Sequence, residues 1–131
     1  MNKKDIEKTF SIEMIDNIII CTYFQDLSSK DNIERSHMIK ENFERLLGEA
    51  KGGEIFAVAD LTKLSSKDKL PHESRLILAG ILKDPRIQKF AGVGGTIYLR
   101  TIGSFVARMT GRSKLFYWAK TLEEAKKWLK K

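Results

Sequence analysis

The chain has little cysteine, histidine and proline, and it has no long apolar run. Its 131 residues include one cysteine, two prolines and two histidines, so an internal disulfide is excluded. No apolar stretch approaches the roughly 20 residues that span a membrane. The lysine-rich start, Met1 to Lys8, is not followed by an apolar segment of signal-peptide length. We therefore expect a cytoplasmic protein with no transmembrane segment.

Residue sets for catalysis or metal binding are also missing. His37 and His72 lie on different predicted helices and Cys21 in a predicted buried strand, which is not the spacing of metal ligands. His72 is two residues from Ser74, and side chains two positions apart on a helix point in different directions. Because no nucleophile has a base beside it, we predict that the protein is not an enzyme and uses no cofactor or metal.

Positive charge is concentrated in the last third of the chain. The sequence holds 24 basic and 17 acidic side chains, for a net charge of +7. Residues 1–90 carry 15 of each sign, so residues 91–131, with nine basic and two acidic side chains, hold the whole excess. Such a segment attracts nucleic acid, an acidic partner or an anionic membrane surface. A lysine-rich helix that only keeps the protein in solution has the same composition.

Apolar patterns predict five strands. Phe10 to Phe24 reads as a hairpin that turns at Asp16-Asn17, since both of these side chains tolerate a positive φ. Ile55 to Ala59 is a continuous apolar run, typical of a strand covered on both faces. Phe90 to Leu99 is predicted as a strand that contains three glycines, and Leu115 to Trp118 is predicted as the last strand.

Four predicted helices separate these strands. They begin near Asp31, at Pro71, at Thr101 and at Thr121. Apolar residues recur at helical spacing in each, and helix-start signals mark all but the third. The resulting order is ββαβαβαβα, and strands that alternate with helices pair in parallel through right-handed crossovers. We therefore predict one α/β domain over residues 1–131. It has a mixed five-stranded sheet, in which the leading hairpin is antiparallel and the remainder parallel, and four helices.

The segment Gly92-Val93-Gly94-Gly95 has the glycine content of a phosphate-binding loop. A phosphate loop needs its glycines between a strand and the N-terminus of a helix. The apolar residues Ile97 to Leu99 predict instead that the strand continues. We therefore assign the glycines to tight packing of a central strand.

A basic stripe is predicted on the third helix, Thr101 to Thr110. Arg100, Ser104, Arg108 and Arg112 recur at i, i+4 spacing, which suits binding of phosphates or acidic side chains. Arginines that merely cover the solvent side of an amphipathic helix have the same spacing. The opposite side is predicted to face inward and consists of Ile102, Phe105, Val106 and Met109.

The order of elements, with its leading hairpin, resembles the STAS domain, the fold of bacterial anti-sigma-factor antagonists. Asp60-Leu61-Thr62 stands where a STAS domain has Asp-Leu-Ser/Thr after a strand, and Leu64 stands where the family has an apolar residue. The end of the chain is similar to a subset of uncharacterised bacterial STAS-like proteins. It combines the aromatic strand at Leu115-Phe116 with the segment Glu123 to Leu129.

The resemblance implies a regulatory module that binds a protein. Phosphorylated antagonists carry Asp-Ser-Ser-Gly at the start of the second helix, and its first serine accepts the phosphoryl group. The corresponding segment here is Asp68-Lys69-Leu70-Pro71, so Lys69 replaces that serine and the phosphoserine switch is absent. In the family this loop and the following helix form the partner interface. The candidate contact residues are Ser65, Ser66, Asp68 and Lys69, beside the stripe Arg100, Arg108 and Arg112.

Three functions follow from these observations. The first is a STAS-like module that binds a protein partner or a second copy of itself. The second is a domain that binds a small apolar ligand between the third helix, at Phe105 and Met109, and the sheet, since α/β domains bind ligands at strand ends. The third is binding of an acidic partner or a nucleic acid through the basic last third, with nucleic acid the partner we expect least.

Overall fold

A mixed five-stranded sheet forms the centre of the computed structural model, which describes all residues, 1–131. Its strands are β1 (Phe10–Ile15), β2 (Ile18–Tyr23), β3 (Ile55–Asp60), β4 (Ile87–Val93) and β5 (Phe116–Ala119). They lie side by side in chain order; β1 and β2 are antiparallel and every later pair is parallel. The predicted α/β class and sheet are therefore confirmed.

Five helices accompany the sheet. They are α1 (Lys3–Glu7), α2 (Ser29–Glu49), α3 (His72–Leu82), α4 (Ile97–Met109) and α5 (Leu122–Leu129), with a 3-10 turn at Ser113–Leu115. The four longer helices match the prediction in number and order. The sequence reading missed α1, which has five residues and buries only Ile6. None of the helices combines the length and the apolar character that crossing a membrane requires.

The two faces of the sheet are covered unequally. Helices α2, α3 and α4 pack on one face, where Ile19, Phe43 and Phe90 belong to a cluster of 18 buried apolar residues. Helix α5 packs on the other face, where Val58 and Leu129 belong to a cluster of nine. Each fully buried aliphatic or aromatic side chain stabilises the fold by about 1.5–3 kcal/mol. The larger cluster, under three helices, is where a site has room to form.

The hairpin turn follows the prediction, and one helix start differs slightly. Asp16 and Asn17 have φ values of 50° and 66°, the left-handed region that these residues tolerate. Helix α2 begins before Asp31, because the Ser28 hydroxyl accepts a hydrogen bond from the Asp31 amide at 3.4 Å and caps the helix.

The largest departure from the prediction lies after β4. The predicted strand Phe90 to Leu99 ends at Val93, and residues 97–99 form the first turn of α4. Gly94 and Gly95 have φ values of 68° and 88°, a left-handed conformation that ends the strand at little cost only because glycine has no Cβ. Thr96 then caps α4 by accepting a hydrogen bond from the Leu99 amide at 3.2 Å.

The early start of α4 changes which of its residues face inward. Leu99, Ile102 and Val106 form its buried side, whereas Phe105 is 43% exposed. The prediction that Phe105 faces the core is therefore wrong. The physical reason is that Leu99 belongs to the helix and not to a strand. The buried side of α4 is therefore centred on Leu99, Ile102 and Val106, and Phe105 lies outside it.

Candidate functional site

A row of small side chains crosses the middle of the sheet. Cys21 pairs in register with Ala59, Ala59 with Gly92, and Gly92 with Trp118 on the edge strand β5. Residues paired in register point to the same face of a sheet, and this row lies under α2, α3 and α4. In the neighbouring row Ala57 lies between Ile19 and Phe90. The central strands therefore leave space that the helices above them must fill.

The three helices do not fill that space, and a cavity of about 120 Å³ remains. Its lining includes Phe43 of α2, Leu78 of α3, and Leu99 and Val106 of α4. An enclosed apolar cavity costs about 24 cal/mol per Å³, so about 3 kcal/mol is the upper limit for this one, which is partly open to solvent. A domain's whole stability is only about 5–15 kcal/mol, so a bound molecule that filled the cavity would recover a sizeable stabilisation.

Two neutral polar side chains line the cavity. Burial raises the pKa of the Cys21 thiol from 9.0 to about 12, against the lowering effects of a side-chain hydrogen bond with Tyr23 and of the Arg35 charge. Burial also raises the pKa of the Tyr23 hydroxyl well above its ordinary value. Both groups are therefore uncharged at neutral pH, and they offer a ligand hydrogen bonds but no charge.

The charged group at the cavity, Asp68, is already paired. Its Oδ1 lies 3.0 Å from Arg35 Nη2 and accepts a hydrogen bond from the Leu27 amide at 2.8 Å. Its Oδ2 accepts one from Asn32 Nδ2 at 3.2 Å. Burial raises the pKa of the Asp68 carboxyl, whereas the Arg35 charge and the Leu27 N–H lower it. The carboxylate is thus occupied by donors of the protein itself.

Arg35 is held by the loop that follows β2. Its Nη1 donates to the Gln25 carbonyl oxygen at 2.7 Å, and its guanidinium carbon lies 4.8 Å from the centre of the Tyr23 ring. The stacked Tyr23 ring thus connects the ion pair to the wall of the cavity. Sequence reasoning missed this cluster, because Arg35 stands 33 positions from Asp68 and nothing in the sequence links it to the segment Asp68 to Pro71.

The four residues of the predicted interaction loop, Ser65, Ser66, Asp68 and Lys69, differ in their exposure to solvent. Asp68 is buried, so it holds the loop in place and cannot meet a partner, contrary to its predicted role as a contact residue. The Ser65 amide donates to Asp26 Oδ1 at 2.8 Å, and its hydroxyl donates to the same carboxylate. Ser66 and Lys69 are exposed. Only these two of the four candidate side chains are presented fully to solvent.

The predicted basic stripe loses Arg112. Gly111 has a φ of 71° and ends the helix, so Arg112 leaves the periodicity of α4. Its Nη1 donates to the carbonyl oxygens of Leu82 at 2.7 Å and Asp84 at 3.0 Å, and its Nη2 donates to that of Ile87. Arg112 therefore caps the C-terminal end of α3 and has a structural role.

Arg100 and Arg108 remain exposed on α4. The guanidinium carbon of Arg100 lies 5.9 Å from the centre of the Trp118 ring, and that of Arg108 lies 5.7 Å from the centre of the Phe105 ring. Two of the three predicted stripe residues are therefore exposed on the same helix.

The Trp118 indole forms one wall of the cavity and is wedged between two glycines. A Cβ added at Gly92 would lie 2.3 Å from the indole, and one added at Gly103 would lie 2.5 Å from it. The indole Nε1 donates to Ser104 Oγ at 2.9 Å. Gly92 thus has the tight-packing role predicted for it.

Gly94 and Gly95 lie between a strand and a helix N-terminus, contrary to the expectation that the strand continues. The arrangement has the order of a phosphate loop, but protein atoms approach Gly94 closely. A Cβ at Gly94 would lie 2.4 Å from Thr62 Cγ2, whereas one at Gly95 would make an ordinary contact with Leu61 Cβ at 3.5 Å, so that Gly95 is needed for its positive φ alone. We therefore assign these glycines to the turn and its packing against the loop after β3.

The remaining candidate residues do not assemble. His37 and His72 are both exposed, on α2 and α3, and nowhere do three His, Cys, Asp or Glu side chains group as metal ligands. No protein-family model matches the chain, and a search of curated proteins finds no significant match. The STAS resemblance and the functions it implies therefore stay predictions.

Proposed function

We propose that the protein binds a small, neutral and largely apolar molecule in the cavity above Cys21, Ala59 and Gly92. The observation that carries this proposal is the apolar cavity of about 120 Å³ between the sheet and α2, α3 and α4. An apolar cavity of about 150 Å³ binds benzene or xenon. A ligand that fits without rearrangement therefore has about the size of one small ring.

The chemistry of the lining selects for a neutral ligand. Cys21 and Tyr23 are uncharged at neutral pH, where an ordinary thiol or phenol is already neutral, and burial raises the pKa of each further. Asp68 and Arg35 neutralise each other, so neither is free to pair with a ligand ion. A charged molecule would lose its hydration without a new partner, at a cost of several kcal/mol or more. A ring with at most one hydroxyl or carbonyl group suits the cavity best.

A fluorescence titration tests this proposal. Trp118 lines the cavity, whereas Trp128 stacks on Tyr117 at 5.2 Å on the other face of the sheet. In a Trp128→Phe protein, Trp118 is the sole tryptophan. Iodobenzene, which quenches indole fluorescence, is expected to quench Trp118 saturably, and benzene is expected to compete with it.

Two further variants control the titration. Ala59→Leu places a larger side chain in the cavity and is expected to abolish saturable quenching. Gly48→Leu adds a side chain on α2 at a position where a Cβ would meet no atom of a neighbouring element within 4 Å. This variant is expected to leave quenching unchanged. Absence of saturable quenching in the Trp128→Phe protein, or equal quenching after Ala59→Leu, would refute the proposal.

We propose as a second function the STAS-like module that binds a protein partner or a second copy of itself, in the cytoplasm. The exposure of Ser66 and Lys69 on a loop fixed by Ser65 and Asp68 favours it. Ser66→Ala with Lys69→Ala is expected to weaken self-association in sedimentation, or partner capture from cell extract. Unchanged association and capture would count against this function. Asp68 is left intact because its replacement would disturb the fold.

A further inference from the structure

Helix α4 exposes apolar side chains that neither the cavity nor the core uses. Ile97 is 84% exposed, Phe105 is 43% exposed and Tyr98 is 39% exposed. Single exposed apolar residues are common on protein surfaces, whereas several on one side of a helix indicate a contact. The buried side of α4, which includes Leu99, Ile102 and Val106, faces the other way.

The same exposed side carries unneutralised positive charge. Arg100 and Arg108 form no ion pair with any carboxylate in the structure. Residues 85–122, which include all of α4, contain seven Lys or Arg and no Asp or Glu. Arg86 pairs with Asp84, Arg112 is bound to backbone carbonyls and Lys89 packs on Trp128. The positive charge that a partner meets at α4 is therefore that of Arg100 and Arg108, on a helix with no acidic side chain.

The arrangement around the helix brings both kinds of side chain together. At about 100° per residue, Ile97, Arg108, Phe105 and Tyr98 fall within about one third of the circumference, and Arg100 lies beside Ile97. Helices that lie in a membrane interface combine exposed apolar residues with arginine or lysine in this way. The apolar side chains enter the boundary between headgroups and acyl chains, and the guanidinium groups meet the phosphates.

We propose that this side of α4, defined by Ile97, Tyr98, Arg100, Phe105 and Arg108, docks on an anionic membrane surface. Charge complementarity selects this occupant, because the arginines have no acidic partner within the protein and anionic headgroups supply one. The exposed Ile97 favours a lipid surface over a nucleic acid, since an aliphatic side chain gains nothing against phosphates and does not stack on bases as an aromatic ring does. Docking is peripheral and does not depend on a ligand in the cavity.

Vesicle flotation with the 131-residue chain tests this proposal. We expect binding to vesicles of phosphatidylcholine with about 30% phosphatidylglycerol, little binding to pure phosphatidylcholine, and weaker binding as salt rises. Ile97→Ser with Phe105→Ser, and separately Arg100→Gln with Arg108→Gln, are each expected to reduce binding at least tenfold. All four positions are exposed, so folding should persist, which circular dichroism checks.

Two matched controls address other parts of the surface. Ile15→Ser removes an exposed apolar side chain from the far edge strand β1, and Lys126→Gln with Lys127→Gln removes two charges from α5 on the opposite face. Both are expected to retain binding. Wild-type protein that ignores phosphatidylglycerol would overturn the proposal, as would vesicle binding that the Ile97 and Phe105 changes leave intact. Retention on DNA that depends on the arginines but not on Ile97 and Phe105 would assign the surface to nucleic acid instead.

Discussion

Arg35 and Asp68 form an ion pair inside the protein, with 3.0 Å between Nη2 and Oδ1 and exposed fractions of only 1% and 2%. The pair joins α2 to the loop that precedes α3. Arg35 Nε has no hydrogen-bond partner, so the pair leaves one buried donor unsatisfied. A buried pair of this kind adds little net stability, but breaking it leaves a charge in the interior.

Asp68→Ala is therefore expected to destabilise the protein by about 3–5 kcal/mol, because Arg35 would remain charged without its partner. Replacing both residues, as Arg35→Met with Asp68→Leu, is expected to cost less than the single change. Urea unfolding followed by circular dichroism measures both. Lys69→Ala, at the exposed neighbouring position, is the control and should stay within about 0.5 kcal/mol of the wild type. A loss below about 1 kcal/mol in Asp68→Ala would contradict the structural role.

Ala59→Leu is expected to stabilise the protein by about 1–2 kcal/mol, because the added carbons fill part of the cavity. The same unfolding experiment measures the gain, in protein that has been extracted with solvent vapour to remove any bound molecule. In the presence of a ligand the difference between the two proteins should shrink, since binding stabilises only the wild type. Destabilisation by Ala59→Leu would mean that the helices above it leave no usable space.

The fold could be predicted because its signals are local. The alternation in β1, the Asp16-Asn17 turn and the Thr121 cap each act over a few residues, and each appears in the structure. The start of α4 was missed because Ile97 to Leu99 is too short a run to show whether its period is that of a strand or a helix. Gly94 and Gly95, which precede this run, take positive φ values and end β4, so that the run begins a helix.

The candidate site could be predicted only in outline. A pocket between α4 and the sheet was expected, but with Phe105 and Met109 in its wall, whereas Leu99, Gly103 and Val106 line it. The row of Cys21, Ala59 and Gly92 depends on strand register, which the individual strand sequences do not contain. The Arg35–Asp68 pair likewise depends on tertiary contact. Asp68 was therefore predicted as a contact residue of an interaction loop, whereas it is buried.

Gly103→Ala tests the packing of Trp118. Replacing a helical glycine by alanine ordinarily raises the free energy of unfolding by up to about 1 kcal/mol. Gly80→Ala on α3 is expected to show that gain, because its Cβ would meet no atom of a neighbouring element within 4 Å. At Gly103 the new Cβ would lie 2.5 Å from the indole of Trp118. We expect a net loss of about 1–3 kcal/mol, as in other overpacked sites, and a shift in Trp118 fluorescence. Equal gains from both variants would show that the indole moves aside without cost.

Cys21 supplies a prediction for alkaline pH. Burial raises the pKa of its thiol from 9.0 to about 12, and the charged or titratable groups that affect it are Tyr23 and Arg35. Above pH 9 the unfolded chain releases the thiol proton while the native protein keeps it, so this contribution to stability is complete below pH 9 and is lost as the pH rises toward 12.

The comparison with Cys21→Ala isolates this contribution, because the packing difference between the two proteins is the same at every pH. From pH 7.5 to pH 10 the stability advantage of the wild type over Cys21→Ala is expected to shrink by about 1.4 kcal/mol, one pKa unit of differential proton binding. Urea unfolding at the two pH values measures it, and labelling with iodoacetamide should be slow in the native state at both. A constant difference in stability, together with fast labelling of the native thiol, would place Cys21 in contact with water and would contradict its burial in the wall of the cavity.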